Sequence, residues 1–260
     1  MGVNLLIGFL LFGLSGLLVY LRKSALNKVL NVKYYETSKI ADVVDNYNSI
    51  KDSVGEGHFS DVVELKGVGK ANNPVRAEHT GQEVLYYKAE IIREYEVTVE
   101  SRDNEGNVTR KKERRSDTMS TNSQYAQDAY VEDGSGQVIR LDLEGAELHP
   151  RQTLNEFRNE APSVGGVLGS AISGSRTLGY RYREEVIPIG ANLYVLGEAS
   201  DRRGGLAIVK PADKKVNYIV STKSEEEIVK SAEGSAQWQL IGAIASAVIG
   251  VGVIIAGFFS

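Results

Sequence analysis

The last stretch of the sequence, Trp238 to Phe259, carries no charge and almost no polar side chain. About 20 apolar residues, at roughly 1.5 Å of helix per residue, cross a hydrocarbon core of about 30 Å. Trp238 stands at the start of this stretch, where aromatic side chains meet the membrane interface. The pattern predicts a transmembrane helix over 238–259.

Small residues recur every four positions in this predicted helix, at Gly242, Ser246 and Gly250. Helices in lipid pack closely through such faces, although glycine is also common in membrane helices for other reasons. We predict that these three residues pack against another helix. The partner expected from this pattern is a second copy of the chain or another membrane protein.

A second apolar run, Val3 to Leu21, is followed by Arg22 and Lys23. No basic residue precedes it and no small-x-small cleavage site ends it, which indicates a retained signal anchor rather than a signal peptide. We therefore predict a two-pass integral membrane protein with its first span at 3–21. Further lysines follow this span, and the positive-inside bias places the central domain in the cytoplasm.

The region between the spans divides into a helical linker at 22–58 and a strand-rich domain at 59–233. The domain is rich in Val, Ile and Tyr with stretches of alternation, which is typical of strands. We predict an α+β fold in which a β-rich soluble domain lies between two transmembrane helices. A barrel is one form that the core of this domain could take. The expected strands are 59–68, 84–99, two within 130–143, 180–187, 193–198, 206–210 and 216–220.

Two helices are also expected in or beside this domain. A short one is predicted at Leu154 to Asn159. Another is predicted to begin near Lys223, behind a capping box formed by Thr222 and Glu225. It would run almost into the membrane, with a bend or break near Gly234.

A turn at 103–107 joins strand 84–99 to a returning strand that is rich in basic residues. Such a cationic hairpin would contact anionic lipid headgroups or an acidic partner, and a solvated strand face is the alternative. The uncharged stretch at 163–175 is predicted to touch the membrane surface or cover the core, or else to be a flexible linker. The candidate contact residues of the hairpin are Arg110, Lys111, Lys112, Arg114 and Arg115.

The sequence offers little chemistry for catalysis. It contains no cysteine, which excludes disulfides, thiolate nucleophiles and cysteine-based zinc sites within these residues. Its three histidines, His58, His79 and His149, lack metal-ligand spacing, and the net charge of -4 gives no basic surface for nucleic acid. We predict no catalytic, metal or cofactor-binding residues, with a hydrolytic site around His149 as the alternative.

Several segments together resemble the GIDE domain, also called the beside-a-membrane (BAM) domain. The resemblance runs from about Phe59 to the end of the sequence. The order of these motifs is more specific than any one of them. The segments that carry it are 63–67 (VELKG), 86–96 (YYKAEIIREYE), 130–138 (YVEDGSGQV), 190–199 (GANLYVLGEA) and 219–227 (IVSTKSEEE).

In eukaryotic members of this family, the domain lies between two spans of mitochondrial or plastid outer-membrane E3 ubiquitin ligases, and a C-terminal RING finger transfers ubiquitin. The present sequence ends at Ser260 without cysteine, so the resemblance implies a RING-less, prokaryotic-type member that keeps the partner-binding half. The family places this domain in the intermembrane space, whereas the basic residues after Leu21 favour the cytoplasm here.

These observations predict a scaffold that binds or assembles partners beside the membrane, without its own catalytic module or cofactor. Its expected partners are the lipid bilayer and either a second copy of the chain or another membrane protein. No nucleic-acid partner is expected. The alternatives are a ubiquitin-ligase-like component that needs a separate RING partner, and an unrecognised membrane-associated enzyme. A pore ranks last, because the spans offer few polar side chains to line one.

Overall fold

Two long helices flank a strand-rich domain in the computed structural model, which describes residues 2–102, 107–160 and 175–259. The predicted turn at 103–107, apart from Asn107, and the predicted loop at 163–175, apart from Ser175, lie outside the described residues. The helices are α1 (Gly2–Tyr34), α2 (Ile40–Val54) and α3 (Glu225–Phe258). The strands are β1 (Ser60–Ala71), β2 (Val75–Arg76), β3 (Glu83–Arg102), β4 (Val108–Tyr125), β5 (Ala129–Glu132), β6 (Val138–Leu141), β7 (Glu147–His149), β8 (Arg151–Arg158), β9 (Ser175–Pro188), β10 (Asn192–Ser200), β11 (Ala207–Val209) and β12 (Ile219–Ser221).

The first sheet closes into a barrel. Its strands follow the order β1-β5-β6-β11-β10, and β10 also pairs with β1, from Ser60 opposite Ser200 to Val68 opposite Asn192. Gly67 lets β1 approach β5 closely, because a Cβ added there would lie 2.5 Å from the carbonyl oxygen of Glu132. The predicted α+β class with a barrel-like core is confirmed, and each predicted strand overlaps an observed one.

The second sheet is built around β3, with β4 and β2 on one edge, β9 on the other, and β8 beyond β9. The prediction of a helix at Leu154 to Asn159 is wrong, since Leu154 to Arg158 belong to β8 and pair with β9. The spacing of Leu154 and Phe157 imitates a helical face. The backbone ladder to β9 instead satisfies the N–H and C=O groups of this segment.

Helices α1 and α3 lie against each other in antiparallel orientation and continue well past their apolar segments. Ser15 Oγ donates a hydrogen bond to the Ala243 carbonyl oxygen (2.9 Å) within this contact. Outside the apolar segments, both helices pack on the barrel wall formed by β10 and β12. The residues in that contact are Val29, Val32, Ile228, Val229 and Ala232 from the helices and Tyr194, Leu196 and Ile219 from the strands.

Helix α3 runs without interruption from Glu225 to Phe258, so the predicted break near Gly234 is absent. Its capping box also lies two residues later than predicted. Ser224 Oγ accepts a hydrogen bond from Glu227 N (3.3 Å), and the Glu227 carboxylate accepts one from Ser224 N (2.9 Å). The reciprocal pair satisfies two of the N–H groups that a helix start leaves free.

Both terminal helices are long and apolar enough to cross a membrane, with mean hydropathies of 2.1 and 2.4. Large apolar side chains such as Phe9, Leu10 and Val248 are exposed along them, and the Trp238 side chain is 75% exposed. Such a surface is unfavourable in water and suits lipid. The division into 3–21, 22–58, 59–233 and 238–259 stays a prediction, and α1 and α3 extend beyond the span boundaries in it.

Candidate functional site

The three predicted helix-packing residues lie in the contact between α3 and α1 of the same chain. A Cβ added at Gly242 would lie 3.2 Å from Leu18 Cδ1, and one added at Gly250 would lie 3.3 Å from Leu11 Cβ. Ser246 is buried between them. Because α1 covers this face, an assembly of several chains would use another face of the helix pair. The expected role in assembly stays a prediction.

The five predicted contact residues of the hairpin, called here the basic segment, all lie exposed on β4. Three of them have carboxylate partners. Arg110 Nε lies 2.7 Å from Glu100 Oε1, Lys112 Nζ lies 3.1 Å from Glu96 Oε1, and Arg115 Nη2 lies 3.3 Å from Glu113 Oε2. Lys111 and Arg114 have no carboxylate within ion-pair distance among the described residues.

Strand β4 also has an unpaired edge. Within the described part of the chain it pairs only with β3, so the backbone N–H and C=O groups along its other side are free. The strand carries five basic and two acidic side chains over its 18 residues. Near its middle, Arg114 and Arg115 line a depression of about 460 Å³, together with two further arginines and two carboxylates, Arg181, Arg183, Glu90 and Glu94. This edge is therefore both open to pairing and positively charged.

A second polar cluster, called here the joint, connects α1 to the barrel. Lys28 Nζ forms an ion pair with Glu147 Oε1 and lies 3.2 Å from His149 Nε2, which in turn lies 3.0 Å from Glu147 Oε1. The hydrogen bond from His149, together with the Lys28 ammonium, lowers the pKa of Glu147 to about 2, although partial burial opposes this. Glu147 therefore stays ionised at neutral pH and holds α1 on β7.

The joint makes stability depend on pH. The folded pKa of Glu147 lies below its ordinary value of 4.5, so its contribution is complete above that value and is lost as pH falls towards 2. The Glu147 side chain is 45% exposed, and solvent screening limits the contribution to about 1 kcal/mol. We expect Glu147→Gln to lower the thermal midpoint at pH 7, and the difference from wild type to vanish near pH 2.

The control for this measurement is Glu100→Gln, which removes an exposed ion pair on the hairpin away from the joint. Its thermal midpoint should follow that of the wild type at both pH values. A Glu147→Gln difference that persisted unchanged at pH 2 would contradict the assignment.

The hydrolytic alternative placed His149 at a catalytic centre. Its imidazole contacts Lys28 and Glu147, and none of the described residues places a hydroxyl in hydrogen-bond contact with it. Among residues 2–102, 107–160 and 175–259, no group of three or more His, Asp or Glu residues is placed to hold a metal ion. The arrangement around His149 can hold two elements together, and none of the described residues sets a hydroxyl nucleophile against its imidazole.

A buried carboxylate, Glu64 on β1, links several elements and is only 1% exposed. Its Oε1 accepts a hydrogen bond from Thr37 Oγ1 (2.6 Å) and lies 3.2 Å from Lys66 Nζ, while its Oε2 accepts one from the Tyr194 hydroxyl (2.9 Å). Lys66 continues to Glu225 at the start of α3 (2.8 Å). The network joins β1, β10 and α3 to the segment that follows α1.

Sequence reasoning missed both the joint and the Glu64 network, because their members are distant in sequence. Lys28 and Glu147 lie 119 positions apart, and Tyr194 and Glu64 lie 130 positions apart. One local signal was present. Glu147 and His149 are two positions apart on a strand, which places both side chains on the same face.

The model of the GIDE family, described as an E3 ubiquitin ligase, matches residues 96–255, which is more than half of the chain. The matched region runs from the outer half of β3 through α3. It contains the basic segment, the β7 residues of the joint, and the barrel strands on which the helices pack. No curated protein and no solved structure gives a significant match.

Proposed function

Because this chain belongs to the GIDE family, we propose that it is a membrane-anchored binding scaffold whose β-domain holds a partner protein beside the bilayer. The unpaired, positively charged edge of β4 carries this proposal. An extended peptide can add to such an edge as a further strand, and the main-chain hydrogen bonds supply affinity. Charge complementarity then favours an acidic segment of the partner.

The two long helices support the anchoring part of the proposal. α1 and α3 each run from an apolar segment into the domain without a break, and both pack on the barrel wall. Ion pairs at the joint and between Lys33 and Glu233 (2.9 Å) add to this contact. The β-domain is thereby held at a fixed distance from the membrane.

The test uses Lys111 and Arg114, the two residues of the basic segment for which the described residues supply no ion-pair partner. In the full chain, Lys111→Glu with Arg114→Glu should reduce recovery of the partner from solubilised membranes about tenfold, because like charges would then face an acidic segment. The control is Lys214→Glu with Lys215→Glu, two exposed lysines in the turn before β12. Equal recovery by both variants and the wild type would favour the solvated-face alternative and defeat the proposal.

A second candidate function is a ubiquitin-ligase-like component that works with a separate RING protein. The family description favours it. The same capture experiment separates the two. Two results together would support the second function. The wild type, but not the Lys111/Arg114 variant, would recover a RING protein or a ubiquitin-conjugating enzyme, and the captured complex would transfer ubiquitin. A captured complex that transfers no ubiquitin would favour the binding scaffold over the ligase component.

We also propose that the domain faces the cytoplasm, on the basis of Arg22, Lys23, Lys28 and Lys33 after the first apolar run. The cysteine-free sequence makes this simple to measure. A single cysteine introduced at the exposed Ser53 of α2 should react with a membrane-impermeant maleimide only after the cells are permeabilised. Labelling of intact cells would place the domain on the other side.

A further inference from the structure

A polar groove of about 390 Å³ lies between α1, α3 and β7, where the apolar segments of the helices end. Its volume falls within the range of about 300–1,000 Å³ that is typical of small-molecule sites. Leu21 and Gln239 form the end nearest the predicted membrane, and Lys28, Glu147 and Lys223 lie towards the other end. The groove thus runs from the predicted membrane boundary to the joint.

The middle of the groove lies at the depth of lipid headgroups. Ser235 is four residues, or about 6 Å of helix, beyond Gln239 on the domain side. The headgroup layer extends roughly 5–7 Å beyond the hydrocarbon core on each side. Ser24 and Ser235, which both line the groove, therefore lie beside the layer in which lipid phosphates are found.

Hydrogen-bond donors remain free along the groove. Lys28 Nζ donates one of its three N–H groups to Glu147. His149 Nε2 donates to the same carboxylate and so accepts none from Lys28, which leaves two N–H groups without an acceptor among the described residues. Lys223 Nζ has no partner among the described residues. The buried carboxamide oxygen of Gln239 also lacks a partner within the described part of the chain, and a rotation of this carboxamide turns its NH₂ group to the same position. These donors suit the oxygens of a phosphate ester.

Glu147, which lies against Lys28, supplies a hydrogen-bond acceptor in the groove. Lys28 and His149 both contact Glu147 through Oε1, so none of the described residues occupies Oε2 of this ionised carboxylate, which can accept a hydrogen bond. A lipid whose headgroup ends in an N–H donor would reach Glu147 with its terminal group, while its phosphate lies beside Lys28 and the serines. Choline has no N–H donor and cannot make the first of these contacts.

We propose that this groove binds the phosphoethanolamine headgroup of a membrane lipid, with its phosphate beside Ser24, Ser235 and Lys28 and its ammonium beside Glu147. The shared chemistry is a phosphate monoester or diester joined to a primary ammonium. Because the groove opens at the end of the apolar segments, the source of this group is a bilayer lipid rather than a soluble phosphoester.

The test is native mass spectrometry of the full chain released from bilayers of dioleoyl phosphatidylethanolamine and phosphatidylcholine in equal amounts. One bound phosphatidylethanolamine per chain is expected, retained about tenfold over phosphatidylcholine. Ser235→Leu, which fills the groove at the level of the phosphate, should reduce this retention about tenfold. Equal retention of both lipids by the wild type would overturn the proposal.

Matched controls lie next to the tested residues. A Cβ added at Gly234 meets nothing within 4 Å, so Gly234→Leu adds bulk to α3 away from the groove, and Lys230→Met removes an exposed charge that does not line it. Both should retain the lipid. Loss of the lipid in these control variants as well would contradict a specific site. Displacement of phosphatidylethanolamine from the wild type by an equal concentration of free phosphoethanolamine would overturn the assignment to a lipid.

Discussion

Replacing Gly8 with Leu is expected to separate the two terminal helices in the bilayer. A Cβ at Gly8 would clash with the Ile254 side chain, whose Cδ1 would lie 2.8 Å away, and would lie 3.3 Å from the Gly250 carbonyl oxygen. Helices in lipid gain little from apolar burial against each other and depend on close packing. Overpacking of such a contact costs about 1–3 kcal/mol, which corresponds to a loss of association of about fivefold to 150-fold.

The absence of cysteine from the sequence gives a clean measurement of this separation. Leu18→Cys with Gly242→Cys places one thiol on each helix where the two are in contact, and oxidation should link them efficiently. Adding Gly8→Leu should reduce the linked fraction strongly, whereas Gly13→Leu, which meets nothing within 4 Å, should leave it unchanged. Equal linkage in both variants would mean that α1 and α3 do not pack through Gly8.

The second large effect is expected from Glu64→Ala. The substitution leaves the buried Tyr194 hydroxyl and the Thr37 hydroxyl without their acceptor, and it creates a cavity. Loss of one partner from a buried network of this kind costs about 3 kcal/mol. For a domain of this size, that corresponds to a fall of about 10 °C in the thermal midpoint, which circular dichroism of the strands would measure.

Two variants test whether the lost hydrogen bonds are the cause. Glu83→Gln changes an exposed carboxylate at the start of β3 and should alter the midpoint by no more than about 1–2 °C. Glu64→Leu with Tyr194→Phe removes acceptor and donor together, so it should recover a large part of the lost stability. A double variant that is as unstable as Glu64→Ala would point to lost packing instead.

The parts of the fold that were predictable from sequence are those with a local signal. The two apolar runs, the stretches of alternation along β1 and β3, and the turn at Asp133 to Gly136 each depend on neighbouring residues. The apolar runs alone predicted a domain between two membrane helices, and the family resemblance agrees with that arrangement. The capping box was misplaced by two residues because Thr222 and Ser224 have equivalent spacing to Glu225 and Glu227.

The parts that were missed depend on which elements meet. Alternation in β1 places Val63 and Leu65 in the barrel core, and the same alternation predicts that Glu64 faces water. The face of β1 that carries Glu64 is instead covered, so that carboxylate is buried. β8 was mistaken for a helix for a related reason, since its pairing partner β9 lies more than 20 residues further along the chain.

The closed barrel also sets an order for assembly during synthesis. Ser60 pairs with Ser200, so the barrel cannot close until β10 has been made, and contacts so far apart in sequence form slowly. The bond from Ser15 to Ala243 spans 228 positions and has to form later still. In pulse-labelled chains of the Leu18→Cys/Gly242→Cys variant, the domain should become resistant to protease before the cross-link between the two helices forms. A newly made chain therefore spends most of its synthesis tethered by α1 alone, with the small face around Gly8 uncovered until α3 arrives.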